Sequence, residues 1–264
     1  MSPGQNRKSC KALNTMSHMQ TPGALRIPMH LQRLFYVFLL TLVILLPCNL
    51  AYADFQDGLD AYNRGDYASA LKEWHPLAEQ GHVIAQTKLG VMFQQGNGVP
   101  QDFQEAVRWL TLAAEQGNMW GQHFLGLNYY TGQGVQQDYN EAARWCRLAA
   151  EQNLAEAQIT LGYYYDLGHG VRLDKKEAVH WYRLAAEQGL VPAQIKLGIL
   201  YARGEDISQD VIESHKWLYL AAEQGDASAQ RMRDLMAGHL TRAQIAEAER
   251  LALGWLTQQK KNKS

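Results

Sequence analysis

The sequence predicts an all-α fold, an α-solenoid (superhelix) in which a helix-turn-helix unit of 36 residues is stacked on copies of itself. Three observations predict it. The tripeptide Glu-Gln-Gly, once Glu-Gln-Asn, begins at Glu79, Glu115, Glu151, Glu187 and Glu223, an unvarying step of 36. Leu-Gly keeps the same beat at Leu89-Gly90, Leu125-Gly126, Leu161-Gly162 and Leu197-Gly198, each followed by an aromatic at Phe93, Tyr129, Tyr165 and Tyr201. Asp-x-x-Glu recurs from Asp102, Asp138, Asp174 and Asp210, and a tryptophan follows each at Trp109, Trp145, Trp181 and Trp217.

Inside one unit the spacing gives two helices. Ala85, Leu89 and Phe93 lie four apart and form one apolar stripe, which stops at Gly96. Glycine there accepts the left-handed backbone that ends a helix. The second helix opens at Asp102, with Glu105 three residues on, the pattern of a capping box with aspartate as the cap. Ala106, Trp109 and Ala113 then face inward, and the Ala113-Ala114 pair lets a neighbouring helix come close. Gly90 lies within the first helix, where glycine costs about 1 kcal/mol against alanine, so its repetition implies a tight helix crossing.

Taken in order, residues 1–28 are polar and rich in Gly and Pro, and read as an over-extended start or a disordered tail. Residues 29–53 read as a secretory signal peptide: Arg33, an apolar run from Leu34 to Leu46, Pro47, and the cleavage pattern Ala51-Tyr52-Ala53 before Asp54. The competing reading is a retained inner-membrane anchor, because Leu34 to Ala53 carries no charge and about 20 such residues can span a bilayer. Residues 54–81 supply an imperfect entry pair whose Trp74 stands one place out of register with the later tryptophans. Four full units occupy 82–225. In 226–264 come capping helices and a basic tail: Arg233-Asp234 replaces Leu-Gly, and a last helix from Thr241 aligns Ile245, Ala248, Ala252 and Trp255. Degenerate ends are what capping repeats require.

With 264 residues, 47% hydrophobic and 19% charged, the chain can bury a core. Its net charge of −1 is unevenly spread: five of the 25 basic side chains and none of the 26 acidic ones precede Asp54, which leaves the remainder at −6. That balance argues against a nucleic-acid partner. Of three cysteines, Cys10 and Cys48 fall in the segment expected to be removed, so Cys146 would stand alone and the fold would need no disulfide.

The unit Ala-Gln-x-x-Leu-Gly-x-x-aromatic-x-x-Gly-x-Gly-Val-x-x-Asp-x-x-Glu-Ala-x-x-Trp-x-x-x-Ala-Ala-Glu-Gln-Gly resembles the Sel1-like repeat family, a bacterial relative of tetratricopeptide repeats, from about Gly58 to Trp255. Unit four departs from it at Asp206, Ile207 and Ser214. The resemblance implies exported, non-enzymatic adaptors in envelope assembly, signalling, motility or host contact. A cysteine-rich branch is associated with penicillin binding, and Ser69-Ala70-Leu71-Lys72 matches the Ser-x-x-Lys of penicillin-recognising enzymes. Neither Ser-Asp-Asn nor Lys-Thr-Gly accompanies it, and the paired cysteines of that branch are missing. The histidines show no metal-ligand spacing, Cys146 reads as a small core side chain, and the Gly-x-Gly turns join helix to helix, so no metal or cofactor is expected.

A surface remains. By analogy with tetratricopeptide repeats the first helices line the concave side, and the non-repeating positions there are Trp120, His123, Leu127 and Tyr130 in unit two, Glu156, Ile159, Tyr163 and Asp166 in unit three, and Ile195, Ile199 and Ala202 in unit four. Aromatic and aliphatic side chains with few charges suit another envelope or secreted protein, or an extended peptide. For Val91, Leu127, Tyr163 and Ile199 the competing reading is packing between repeats. Outer charges such as Arg144 and Lys216 are expected to be solvated. The expected location is the periplasm, with the medium or the inner membrane as alternatives, and membrane contact only if the signal segment stays. If export is as read, the mature protein begins at Asp54 and is released by osmotic shock; N-terminal sequencing checks this, and recovery of the uncleaved chain in membranes contradicts it.

Overall fold

The computed structural model describes residues 55–204 and 208–263. Twelve helices and no strand occur among them. A helical segment over 55–63 (α1) precedes α2 (Tyr67–Glu79). The four units follow as pairs: α3 (Val83–Gln95) with α4 (Phe103–Glu115), α5 (Met119–Thr131) with α6 (Tyr139–Glu151), α7 (Ala155–Leu167) with α8 (Lys175–Glu187), and α9 (Val191–Arg203) with α10 (Val211–Glu223). Then come α11 (Ala227–Ala237) and α12 (Arg242–Lys263). The segments read as 1–28 and as a signal peptide over 29–53, with Cys10 and Cys48, lie outside the described residues, as do Asp206 and Ile207.

Helix ends fall where the repeating residues put them. Gly96, Gly132, Gly168 and Gly204 end the first helices in the left-handed conformation. Asp102, Asp138, Asp174 and Asp210 cap the second helices, each accepting from two backbone N–H groups of the first turn. The reciprocal half of the box is absent, and the reason is visible. The N–H of each aspartate already donates to the preceding helix, from Asp102 to Phe93 O at 2.9 Å and from Asp138 to Tyr129 O at 3.0 Å. Glu105 and Glu141 turn instead to Arg108 and Arg144. A full capping box occurs only later, where Thr241 N–H donates to Gln244 Oε1 and Gln244 N–H to Thr241 Oγ1.

The Leu-Gly glycines sit at crossings within each pair. A Cβ on Gly126 would stand 2.7 Å from Cys146 Sγ and 3.1 Å from Ala142 O, so only hydrogen fits. Gly90, Gly162 and Gly198 meet Leu110, Tyr182 and Leu218 in the same way. In the entry pair Gly58 meets Trp74, which therefore occupies the slot of Leu110 and not that of Trp109. Its apparent register error is a correct register on a shorter turn. Ser214 stands in place of the usual alanine and satisfies its buried hydroxyl by donating to Gly198 O at 2.7 Å. Cys146 is a buried core residue, as expected, and burial pushes its thiol pKa up to about 12.

Successive units are joined by a buried glutamine in each first helix. Gln86, Gln122, Gln158 and Gln194 donate through Nε2 to Ala78, Ala114, Ala150 and Ala186 O at 3.0–3.2 Å, reaching back to the second helix of the unit before. Their Oε1 atoms accept from Gln116, Gln152, Gln188 and Gln224 Nε2 at 2.8–2.9 Å, which belong to the Glu-Gln-Gly motif of their own unit. At the C-terminal end α12 packs on α10 with Trp255 edge-on to Trp217, and Gln259 donates to Glu187 O. Ala248 and Ala252 lie buried in that seam.

Asn153 holds φ +68, where Gly81, Gly117, Gly189 and Gly225 stand in the other units, and its Oδ1 accepts from Gln158 and Gln188 at 3.2 Å. Asn153→Ala should therefore lower the unfolding free energy by about 1–2 kcal/mol, the cost of a left-handed alanine. Asn153→Gly should lose less than about half of that. Urea titration checks this, and equal losses would show that the hydrogen bonds decide and not the backbone.

Candidate functional site

The face of the first helices turned away from the second helices carries two depressions. The N-terminal one, about 460 Å³, is walled by Tyr62 of α1, Ile84 and Val91 of α3, and Trp120 and Phe124 of α5, with Lys88 beside them. The central one, about 300 Å³, lies between α5, α7 and α9. Leu127, Tyr130, Ile159 and Tyr163 from the sequence-derived set meet there. Trp120 and Tyr163 are 36% and 37% exposed, whereas the Leu-Gly leucines Leu125 and Leu161 are buried.

The rest of the set is placed differently. His123 is only 6% exposed and faces Thr160, with Nε2 at 3.2 Å from its Oγ1. Asp166 is tied to Lys175 at 2.5 Å across the turn and is half-buried. Glu156 lines a third depression formed by the loop ends near Asn153 and Gly189. Ile195, Ile199 and Ala202 lie half-buried on α9, outside both groove depressions.

Several residues of the face were not singled out in the sequence. The position just before each Leu-Gly also points there and varies between units: Lys88, Phe124, Thr160 and Lys196. Its variation was the available signal. Lys196 Nζ lies 5.9 Å from the Tyr163 ring centre and supplies the cation of the central depression. Tyr130 stacks on Tyr164 with ring centres 5.1 Å apart, and its hydroxyl lies 3.1 Å from Nδ1 of His169, which stacks on Tyr139 at 4.9 Å. The Gly-His-Gly turn thus braces the aromatic wall. Tyr182 reaches the same depression from α8.

Ser69 serves as part of a helix start: its N–H donates to Asp66 Oδ1 at 3.2 Å in the first turn of α2, and Lys72 is exposed. Among the described residues no three His, Cys, Asp or Glu side chains group as metal ligands, and no helix is long and apolar enough to cross a membrane. On the outer face Arg108 and Arg144 lie 4.1 Å from the rings of Trp109 and Trp145 and pair with Glu105 and Glu141. Lys216 departs from the expected solvation. Its side chain is 15% exposed, held by Glu213 and the Trp217 ring. The groove face offers ring faces, aliphatic walls and isolated ammonium groups, the means to bind an apolar, extended chain.

A family model described as Sel1 repeat matches residues 83–118, 121–154, 155–190 and 191–226. Among solved structures, a protective antigen of uropathogenic Escherichia coli displaying an SLR fold is 33% identical, with TM-score 0.69, over 79% of this chain and 46% of that one. This chain thus spans less than half of that protein. A Sel1 repeat protein from Oxalobacter formigenes is 35% identical, with TM-score 0.65, over 68% of this chain and 73% of that one. No curated protein matches.

Burial pushes the pKa of His123 down to about 4 from the ordinary 6.5. Folded protein thus resists a proton that the unfolded chain accepts below about pH 6.5. Stability from this group is full above that pH and is lost as pH falls to about 4, by about 3 kcal/mol. His123→Ile, the residue of the same slot at Ile159 and Ile195, should remove that loss. Denaturant titrations of both proteins at pH 7 and pH 4.5 check it, and a stability difference independent of pH contradicts it.

Proposed function

The chain belongs to the Sel1 repeat family, whose repeats generally mediate protein–protein interaction, and from that premise we propose that it is a non-enzymatic scaffold of the periplasm which holds another envelope protein, or an extended segment of one, in its groove. One observation carries the reading. The in-phase Leu-Gly leucines of the first helices are consumed by packing, whereas Trp120 and Tyr163, which do not repeat, stand more than a third exposed on first helices, each at one of the two depressions. Leaving such aromatics exposed has no return within the monomer, and aromatic side chains of this kind anchor interfaces. The export pattern before Asp54 supports the periplasmic location.

A second reading, a factor released toward a host, is favoured by the similarity to a protective antigen of uropathogenic Escherichia coli. The two separate on where the mature chain accumulates, in periplasmic extract or in culture medium.

Crosslinking in intact cells identifies what the protein holds. Trp120→Ala combined with Tyr163→Ala should leave the helical circular dichroism unchanged and weaken capture of that protein more than about tenfold, since true anchors commonly contribute ~2 kcal/mol or more each. Lys176→Glu, an exposed site on α8, should leave capture unchanged. Loss of capture with Lys176→Glu and none with the aromatic pair would move the binding face to the outer side.

A further inference from the structure

We propose that the groove selects an acidic partner, an extended polypeptide segment in which carboxylates stand among large apolar side chains, one carboxylate meeting Lys88 at the N-terminal depression and another meeting Lys196 at the central one. This deepens the groove reading and rests on it. Charge is sparse on the first helices. α3 carries Lys88, α5 carries no Lys, Arg, Asp or Glu, α7 carries Glu156 and Asp166, and α9 carries Lys196 and Arg203. Asp166 is already held by Lys175, and Glu156 lies at the third depression near the loop ends. Of these charges only the two lysines line the groove depressions, and no carboxylate does.

The two depressions are built alike. Lys88 Nζ stands 5.6 Å from the Tyr62 ring centre and Lys196 Nζ 5.9 Å from that of Tyr163. Among the described residues neither ammonium forms an ion pair. A ring face at that distance gives an ammonium only part of what a hydrogen-bonded carboxylate gives. Asn118 adds a second donor at the N-terminal depression: its Oδ1 accepts from Gly121 N–H and from Thr87 Oγ1, which leaves its NH2 as the end open to an acceptor. Around these donors stand Ile84, Trp120 and Phe124 at one site and Leu127 and Ile159 at the other.

Charge selects the occupant. From Asp54 on the chain carries −6, so a groove whose charges are positive stands out on an otherwise acidic molecule and favours an anionic partner in encounter and in register. The chain's own ends have the wrong sign, since residues 1–53 hold five basic side chains and no acidic one, and the tail ends Lys260-Lys261-Asn262-Lys263. Two unpaired ammonium groups at two depressions call for two carboxylates on one length of chain, and the ring and aliphatic walls call for apolar side chains beside them. A fatty acid would bring a single carboxylate to two cations.

Capped dodecapeptides, each a triplet repeated to that length, serve as probes in NMR titrations of the purified protein: Asp-Phe-Ser, Asn-Phe-Ser, Lys-Phe-Ser and Asp-Gly-Ser, with decanoate beside them. At about 40 Å when extended, each peptide can cross several helices packed roughly 10 Å apart. The Asp-Phe-Ser probe should shift the amides of residues 84–91 and 195–199 and, in low salt, bind about fivefold or more tighter than the other peptides, a margin that narrows in about 0.3 M salt. Lys88→Glu combined with Lys196→Glu should reverse the preference between aspartate and lysine. Lys88→Gln with Lys196→Gln should remove the preference for aspartate over asparagine, and Lys176→Glu on α8 should change neither. If Asp-Phe-Ser binds no tighter than Asn-Phe-Ser or Asp-Gly-Ser, or if its advantage survives the double charge reversal, the acidic partner is overturned. Tighter binding of decanoate at the same residues overturns it in favour of a lipid, and self-association that the double reversal abolishes overturns it in favour of a second copy. If no probe shifts those residues while capture still depends on Trp120 and Tyr163, the acidic partner falls and the groove stands. If capture depends on the outer face, the groove reading falls and the acidic partner with it.

Discussion

Everything in this fold depends on four buried carboxamides. A glutamine side chain inside a protein must find partners for both of its ends, because an unpaired buried amide costs of the order of 1–3 kcal/mol. Gln86, Gln122, Gln158 and Gln194 satisfy the nitrogen on the previous unit and the oxygen on their own. The hydrogen bonds can close only if successive units keep one rotation and one distance. Alanine pairs let the helices approach that closely, and crossing glycines let the two helices of a unit meet. Apolar packing supplies the bulk of the stability, and the carboxamides select one stacking geometry from the many that oily faces alone would tolerate.

Much of this was legible in the sequence, and what escaped it did so for physical reasons. The period, the helix ends at Gly96 and Asp102, and the tight crossing at Gly126 follow from local chemistry that each residue carries alone. The glutamine bridges do not, because Gln86 and Gln116 are each unremarkable on a helix and their partnership appears only once units stack. Glu105 misled for a similar reason: its expected partner, the N–H of Asp102, was taken by Phe93 O from another helix. First-helix starts were invisible because their caps vary. His82, Asn118 and Asp226 accept from the first turn, and Leu154 and Leu190 offer no side-chain cap.

The candidate site was legible in part. Of the positions two beyond the repeating leucine, Val91 lines the N-terminal depression and Leu127 and Tyr163 the central one, as helical periodicity places them on that face, whereas Ile199 in unit four lies outside both. Helix direction did not determine depth, so His123 lies beneath the surface and not on it. Asp166 was drawn away by Lys175 across a turn, a pairing between residues that no helical repeat relates. Tyr182 was missed outright, since the same glycine stands at every crossing and a second-helix residue lines the depression only where the slot holds a side chain as long as tyrosine. The in-phase crossing and bridging positions hold the scaffold, and the out-of-phase positions on its free face are left to vary.

The carboxamide bridges can be observed one by one. Hydrogen exchange of glutamine side-chain amides, followed by NMR on uniformly labelled protein, reports whether each NH2 is bonded and buried. Slow exchange of Gln86, Gln122, Gln158 and Gln194, against fast exchange of exposed Gln133 in a turn, is the result this structure predicts. Exchange of those four as fast as Gln133, in a protein that remains folded and helical, would mean that the units are held together by apolar packing alone and that the bridges do not set their stacking.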